Sequence, residues 1–239
     1  MELLSTAGFW AALGNIILIN IVLSGDNAVV IALAAKSLPP KQKRLAVLYG
    51  SAAAIILRIV LTIFALQLLT LPYLKLIGSV ALFYIGVQLL AEGGEEEEVE
   101  GHSNLWGAIK TILIADLVMS LDNVLGVAAA ANGNLVLLII GLAISVPLIV
   151  FGSTLVLKLM EKFPIIITLG AGLLGYLAGE MLFSDTAVQP WIESNIPHHE
   201  LALFGNSHLS IPGLVLAVAV ILVGTYLSKR HNKKPAEAA

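Results

Sequence analysis

The chain contains no cysteine and few charged residues. The absence of cysteine excludes disulfide bonds and thiolate ligation of a metal. Asp, Glu, Lys and Arg together make up 12% of the 239 residues, about half the share that is usual in soluble domains. The sequence also lacks a P-loop and an HExxH motif, and its apolar runs hold no plausible Ser/His or Ser/Lys pair. We therefore expect neither an ATP-driven pump nor an enzyme, and no resident cofactor.

Long apolar runs fill almost the whole chain. Hydrophobic residues make up 58% of it, and a crossing of the bilayer needs about 20 such residues. Seven runs are long enough, near 8–35, 43–69, 72–91, 105–131, 134–158, 164–184 and 211–228. Residues 1–8 carry no Lys or Arg, unlike a secretory signal, so we expect the first run to be retained. The sequence predicts an all-α polytopic membrane protein, with one transmembrane domain over 1–228 and no nucleic-acid partner.

Basic residues are concentrated in alternate connections between the runs. With the N-terminus outside, eleven of the 13 Lys and Arg residues are cytoplasmic, Lys75 is external and Arg58 is intramembrane. The positive-inside rule therefore predicts a multi-pass plasma-membrane protein with an external N-terminus. The basic tail, 229–239, is then cytoplasmic.

One short polar motif occurs twice, each time within an apolar run. Residues 20–35 align with residues 116–131 at an offset of 96. The alignment pairs Ser24 with Ser120, Asp26 with Asp122, and Asn27 with Asn123. Ionisable residues at equivalent depths of two repeats are typical of the substrate site of a secondary transporter.

The third run of each half is repeated as well. Tyr84 aligns with Tyr176, and Gln88 aligns with Glu180. Three spans per unit start the second copy on the opposite side of the membrane, so the repeats, 8–91 and 105–184, are predicted to be inverted. A seventh helix, 211–228, follows them.

Four carboxyl groups lie within the predicted spans, and each costs about 2.5–3.5 kcal/mol at the bilayer centre on insertion scales. They belong to Asp26, Asp116, Asp122 and Glu180, and the amides of Asn27 and Asn123 add further oxygen ligands. Asn20, Ser24, Ser120 and Gln88 are accessory positions. Hard divalent cations such as Mn²⁺, Ca²⁺ and Mg²⁺ prefer this all-oxygen set. Arg58 is expected to pair with an acid that holds no metal, and ion pairs that only fix helix packing remain the alternative.

Three further features leave alternatives open. Gly25 makes a local break of the first motif helix easier, but a break is not required. The acidic segment 92–102 is interpreted as a solvated loop that is able to attract cations. The segment 185–210 is interpreted as an external polar loop, with weak metal binding by its histidines and carboxylates as the alternative.

The paired LSGDN and MSLDN motifs, in two three-helix repeats, resemble the TerC family of integral membrane proteins over residues 8–228. The seven spans and short loops are similar to the compact bacterial branch of that family. The resemblance implies export of manganese from the cytoplasm, with Asp26, Asn27, Asp122 and Asn123 as the motif residues and Asp116 by position. Leu121 replaces Gly25 in the second motif, so the two halves of the site are not identical.

These observations predict an exporter of a divalent cation that returns protons in exchange. Two protons would cancel the charge of one metal ion, and the buried carboxylates would bind either. The rival interpretation is a membrane-embedded assembly or metalation factor for secreted metalloproteins, which transports nothing itself. A homo-oligomer and a partner in the secretory machinery both stay open.

Overall fold

The computed structural model describes residues 10, 13–18, 25–64, 68, 71–91, 104–131, 134–196, 200–202 and 208–231. Residues 13–18 are helical. The elements that follow are α1 Gly25–Ala35, α2 Pro40–Ile63, α3 Leu74–Ala91, α4 Leu105–Ala131, α5 Leu135–Lys162, α6 Ile165–Phe183, α7 Gln189–Asn195, β1 Glu200–Ala202, β2 His208–Ser210 and α8 Ile211–His231.

The helices follow the apolar runs of the sequence. Among the described residues, five helices are long and apolar enough to cross a membrane, namely α2, α3, α5, α6 and α8. Helix α4 has 27 residues, and α1 has 11. The predicted all-α polytopic membrane protein is thus confirmed. Seven crossings remain a prediction, because the first run, 8–35, is described only in parts.

Polar side chains mark the first turns of two long helices. Asn134 Oδ1 accepts hydrogen bonds from the N–H groups of Val136 and Leu137, both at 3.1 Å, where α5 begins. Ser210 Oγ accepts one from the N–H of Gly213 at 3.1 Å, where α8 begins. The first N–H groups of a helix have no carbonyl partner within it, so these caps fix where the two helices start.

Helix α3 begins without such a residue of its own, and Asp185 takes that place from the other half of the chain. Its carboxylate accepts hydrogen bonds from the N–H groups of Tyr73 at 3.2 Å and Leu76 at 3.1 Å. It also accepts one from the N–H of Ala187 at 2.9 Å. The side chain is only 1% exposed. Asp185 therefore joins the start of α3 to the end of α6.

The described residues of the segment 185–210 include regular structure where the sequence predicted a polar loop. It contains the short helix α7 and the strands β1 and β2, which pair antiparallel with Leu201 opposite Leu209. The hydroxyl of Tyr176 on α6 accepts a hydrogen bond from the N–H of Ser210 at 3.1 Å. A short helix and two short strands thus take the place of a plain loop over the described residues, and the choice between a polar surface and weak metal binding stays a prediction. The segment 92–102 lies outside the described residues.

Contacts between the two predicted repeats occur in equivalent pairs. Each contact of a helix in α1–α3 with a helix in α4–α6 has a counterpart in which the two equivalent helices have changed roles. Helix α2 packs on α4 as α5 packs on α1, and α3 packs on α4 as α6 packs on α1. The equivalent helices also pack on each other, as α1 on α4, α2 on α5 and α3 on α6. Helix α8 lies outside this scheme and packs on α6 and α3. A two-fold pseudo-symmetry requires such a pattern, and the opposite orientation of the repeats in the membrane remains a prediction.

Two matched glycines allow the close approach of helices from opposite repeats. A methyl group on Gly78 of α3 would lie 3.0 Å from a methyl of Val118 on α4. A methyl group on Gly170 of α6 would lie 2.8 Å from a methyl of Val29 on α1. Both distances are shorter than ordinary carbon contacts, so glycine is the residue that fits at each place.

The end of the bundle near residues 36–39 carries two polar contacts. Lys36 Nζ donates a hydrogen bond to the carbonyl oxygen of Leu89, near the end of α3. Lys43 Nζ forms an ion pair with Glu161 Oε1 at 2.8 Å, which ties the start of α2 to the end of α5. We expect this end of the bundle to face the cytoplasm.

Candidate ion-binding site

A guanidinium group is buried between α2 and α4. Arg58 is 1% exposed. Its Nη2 atom lies 2.5 Å from Asp116 Oδ1 in an ion pair, and its Nε atom donates to Ser120 Oγ at 3.0 Å. Asp116 and Ser120 are four residues apart on α4, so they share one helix face, and Ser120 Oγ donates to Asp116 Oδ2 at 3.2 Å. We call these three residues the Arg58 cluster.

Asp26 lies beside this cluster without forming a hydrogen bond that joins it. Its half-buried carboxylate interacts electrostatically with both Arg58 and Asp116. Asp26 Oδ1 accepts a hydrogen bond from the backbone N–H of Asn27 at 2.8 Å. The proposed break near Gly25 itself involves residues 19–24, which lie outside the described residues.

The amide of Asn27 is buried and has no hydrogen-bond partner in the described part of the chain. The residue is 2% exposed, and neither its oxygen nor its nitrogen is paired. The hydroxyl of Ser51 on α2 is in the same state, and the sequence analysis did not single it out. Buried polar groups in proteins are nearly always hydrogen-bonded, so each of these groups is able to accept a ligand.

The charges of this region do not balance. Two carboxylates, Asp26 and Asp116, face the single guanidinium of Arg58. A buried carboxylate without a counter-charge binds a cation or a proton. No three Asp, Glu, His or Cys side chains gather at a metal-sized distance among the described residues, and the side chain of Asp122 is not among them. The described residues thus place two carboxylates and one guanidinium close together.

The other predicted ligands differ in where they lie. Asn123 is half-buried on α4, and the residue has an interaction partner. Gln88 on α3 and Glu180 on α6 are exposed on the surface of the bundle, so the structure does not bring them to the Arg58 cluster. Asn20 and Ser24 lie outside the described residues.

Comparison with known proteins finds one matching family and several related bacterial membrane proteins. The profile of the "Integral membrane protein TerC family" matches residues 5–232. The chain is 41% identical over 217 residues to "Uncharacterized membrane protein YjbE" of Bacillus subtilis, covering 90% of this chain and 94% of that protein. It is 25% identical over 248 residues to "Uncharacterized membrane protein YceF" of the same organism, covering 100% and 90%.

More distant relatives are found in Escherichia coli. "UPF0053 inner membrane protein YgdQ" is 28% identical over 173 residues, covering 65% of this chain and 73% of that protein. No solved structure matches the chain.

Proposed function

The chain belongs to the TerC family of integral membrane proteins, and we propose on that premise that it exports a hard divalent cation, with Mn²⁺ as the first candidate. The observation that carries this proposal is the buried Arg58–Asp116 ion pair with a second carboxylate, Asp26, in electrostatic range. This arrangement holds more negative than positive charge within the bundle. It would attract a cation or a proton to a place that lipid alone would never stabilise.

The ligand chemistry favours a hard cation. Asp26, Asp116 and Asn27 offer oxygen atoms from carboxylates and an amide, and the motif residues Asp122 and Asn123 add the same kinds of oxygen. Mn²⁺, Mg²⁺ and Ca²⁺ all accept such ligands. Manganese is preferred here because the TerC resemblance implies it, and the residues themselves do not separate the three metals.

Arg58 has a distinct role in this proposal. Its guanidinium lies between Asp116 and Ser120 in the structure. A divalent cation at Asp116 would compete with Arg58 for the same oxygen atoms. The arginine would therefore neutralise a carboxylate after the metal has left. The protein could then return to its inward-facing conformation without a bare carboxylate in the membrane.

Proton exchange would supply the driving force. Moving a divalent cation outward against an inside-negative potential costs about 4.6 kcal/mol per 100 mV, twice the value for one charge. Returning two protons for each metal ion would cancel this electrical work. The carboxylates that release the metal would bind those protons, because metal and protons compete for the same oxygens.

Amide substitutions of the motif aspartates test the proposal. Asp26→Asn and Asp122→Asn keep the shape but remove the charge that offsets metal desolvation, so each should abolish Mn²⁺ flux into proteoliposomes. Asp26 forms no hydrogen bond with Arg58 in the structure, so its variant should insert and fold.

Glu161→Gln, at the exposed carboxylate that pairs with Lys43, is the matched control and should keep normal flux. Wild-type flux in both aspartate variants would remove this site from transport. The assembly-factor alternative would be supported by two results together. The wild-type protein would show no metal flux, and cells would need the protein to secrete active metalloproteins.

A further inference from the structure

The hydroxyl of Ser51 differs from other buried hydroxyls of the bundle. In a transmembrane helix a serine or threonine usually donates to a carbonyl oxygen three or four residues earlier. Ser145, Ser153 and Thr62 do so, at 2.6, 2.8 and 2.7 Å from the carbonyl oxygens of Leu142, Ile149 and Arg58. Ser51 is as buried, at 1% exposure, but its oxygen has no partner in the described part of the chain.

Such a hydroxyl is unfavourable within a membrane unless something binds it. There is no bulk water at this depth to replace a missing hydrogen bond. The side-chain amide of Asn27 on α1 is in the same condition, and α1 packs on α2. Two neighbouring helices therefore each present a buried, neutral and unpartnered polar group.

Helix geometry places these two groups at a similar height. Asn27 lies eight residues before Ala35, where α1 ends, and Ser51 lies eleven residues after Pro40, where α2 begins. At about 1.5 Å per residue the two heights above the α1–α2 connection differ by about one helical turn.

The same arithmetic relates Ser51 to the Arg58 cluster. Ser51 and Arg58 are seven residues apart, which puts them on one face of α2 and about two turns from each other. Ser51 is nearer to the α1–α2 connection, so a cation that approaches from that end reaches it before it reaches the cluster.

We propose that Ser51 Oγ and Asn27 Oδ1 bind the transported divalent cation at a position on the α1–α2 side of the Arg58 cluster. This inference rests on the proposed function, because it concerns the path of the same ion. Neutral oxygens replace part of the hydration shell and bind a divalent cation less tightly than carboxylates do. Asn27 follows Asp26 directly in the chain, so its oxygen is the ligand that both positions share. The position is thus suited to pass the ion on towards Asp26 and Asp116.

The absence of cysteine allows a direct test by exchange of oxygen for sulfur. A thiol prefers soft metals such as Cd²⁺ over Mn²⁺, and Ser51→Cys would be the single cysteine of the chain. Binding of Mn²⁺ and Cd²⁺ is measured by equilibrium dialysis of the full-length protein in detergent. Because this position is weaker than the carboxylate site, it should appear as the lower-affinity phase of the binding curve. We expect Ser51→Ala to weaken that phase for Mn²⁺ about tenfold, and Ser51→Cys to raise its Cd²⁺ to Mn²⁺ affinity ratio by about tenfold or more.

Ser153→Ala and Ser153→Cys are the matched controls, because that hydroxyl is equally buried but already bonded. They should leave both affinities unchanged. Unaltered metal preference in Ser51→Cys, or an equal change in Ser153→Cys, would overturn the inference and leave the proposed function intact. A wild-type protein that binds neither Mn²⁺ nor any other divalent cation would instead refute the proposed function. If the Ser51 hydroxyl binds a water molecule and no metal, Ser51→Cys should leave the preference between Cd²⁺ and Mn²⁺ unchanged. That outcome would also overturn the inference.

Discussion

Arg58 is the residue on which the buried charge of the bundle depends. It is among the largest side chains that are fully buried, and its charge is neutralised by direct contact with Asp116. An ion pair that is buried in this way gives little net stability, but removing one partner leaves a bare charge in a medium that cannot solvate it. The ion pair therefore holds α2 against α4 only as long as both charges are present.

Asp116→Asn should destabilise the protein by about 3–5 kcal/mol, the usual cost of breaking a buried pair. Thermal unfolding in detergent measures the loss. The double variant Arg58→Gln/Asp116→Asn removes both charges and should recover most of it. Lys43→Gln, which breaks the exposed pair with Glu161, should change stability by less than about 1 kcal/mol. An Asp116→Asn variant as stable as the wild type would mean that Asp26 already neutralises Arg58.

The sequence identified part of this site. Asp26, Asn27 and Asp116 were found because a polar residue within an apolar run is conspicuous, and Arg58 was expected to pair with one of the acids. Ser51 was not found, because serines are common in membrane helices and the sequence does not show whether a hydroxyl bonds to its own helix. Gln88 and Glu180 were candidates because they align with each other, but the sequence does not show which side of a helix faces the bundle.

At the level of elements, α3 depends on a cap from elsewhere in the chain. Burial alone would raise the pKa of Asp185, but the N–H groups of Ala187, Leu76, Tyr73 and Lys75 face the carboxylate, and together they lower its pKa below the ordinary 3.8. A carboxylate whose pKa is lower in the folded state stabilises the fold above its unfolded pKa. That contribution is lost as the pH falls through the folded-state value.

Asp185→Ala should therefore lower stability by about 2–3 kcal/mol near neutral pH, because several N–H groups lose a charged acceptor. The difference in melting temperature between wild type and variant should be constant from about pH 7 to pH 5. It should shrink as the pH falls below 3.8, the ordinary pKa of the unfolded state, and vanish once the pH is below the lower pKa of the folded state. A difference that persists unchanged at low pH would show that Asp185 acts through packing and not through its charge.

Contact between α6 and α8 depends on glycine. A methyl group on Gly175 would lie 2.6 Å from the carbonyl oxygen of Leu216, and backbone cannot move aside as a side chain can. Gly175→Ala should thus destabilise the protein by about 1–3 kcal/mol, measured by thermal unfolding in detergent. Gly152→Ala is the control, since its methyl would lie at an ordinary 3.6 Å from Ala28. Equal melting of the two variants would mean that α8 shifts freely on α6.

For the whole molecule, the sequence predicts where the helices lie but not the long-range contacts that hold them together. Apolar runs set helix bounds directly, because a long apolar segment in lipid must satisfy its backbone internally as a helix. The contacts that join α1–α3 to α4–α6 are compatible with the predicted repeat, and the inverted layout stays a prediction. The cap of α3 by Asp185 was not predicted, because it joins residues more than a hundred positions apart. Long-range partners of this kind have no local sequence pattern.

The balance of buried charge bears on how the proposed transport would be driven. Arg58 is paired with Asp116, and Asp26 is a second carboxylate in electrostatic range. If a metal ion binds and leaves there, at least one carboxylate would need another cation to neutralise it. A proton is the smallest ion that can do this inside a bundle without a wide aqueous path. If two protons return for each divalent cation, the exchange moves no net charge, and membrane potential should have little influence on its rate.

Proteoliposomes that carry a pH-sensitive dye in the lumen test this coupling. When Mn²⁺ is added outside, its entry should be accompanied by loss of protons from the lumen, so the internal pH should rise. Collapsing the pH gradient should slow uphill transport, whereas clamping the potential should not, because charge movement cancels. Asp26→Asn should show neither metal entry nor a pH change, and Glu161→Gln should show both. Metal flux that follows the potential and ignores the pH gradient would replace antiport by uniport, and Arg58 alone would then have to neutralise the empty site.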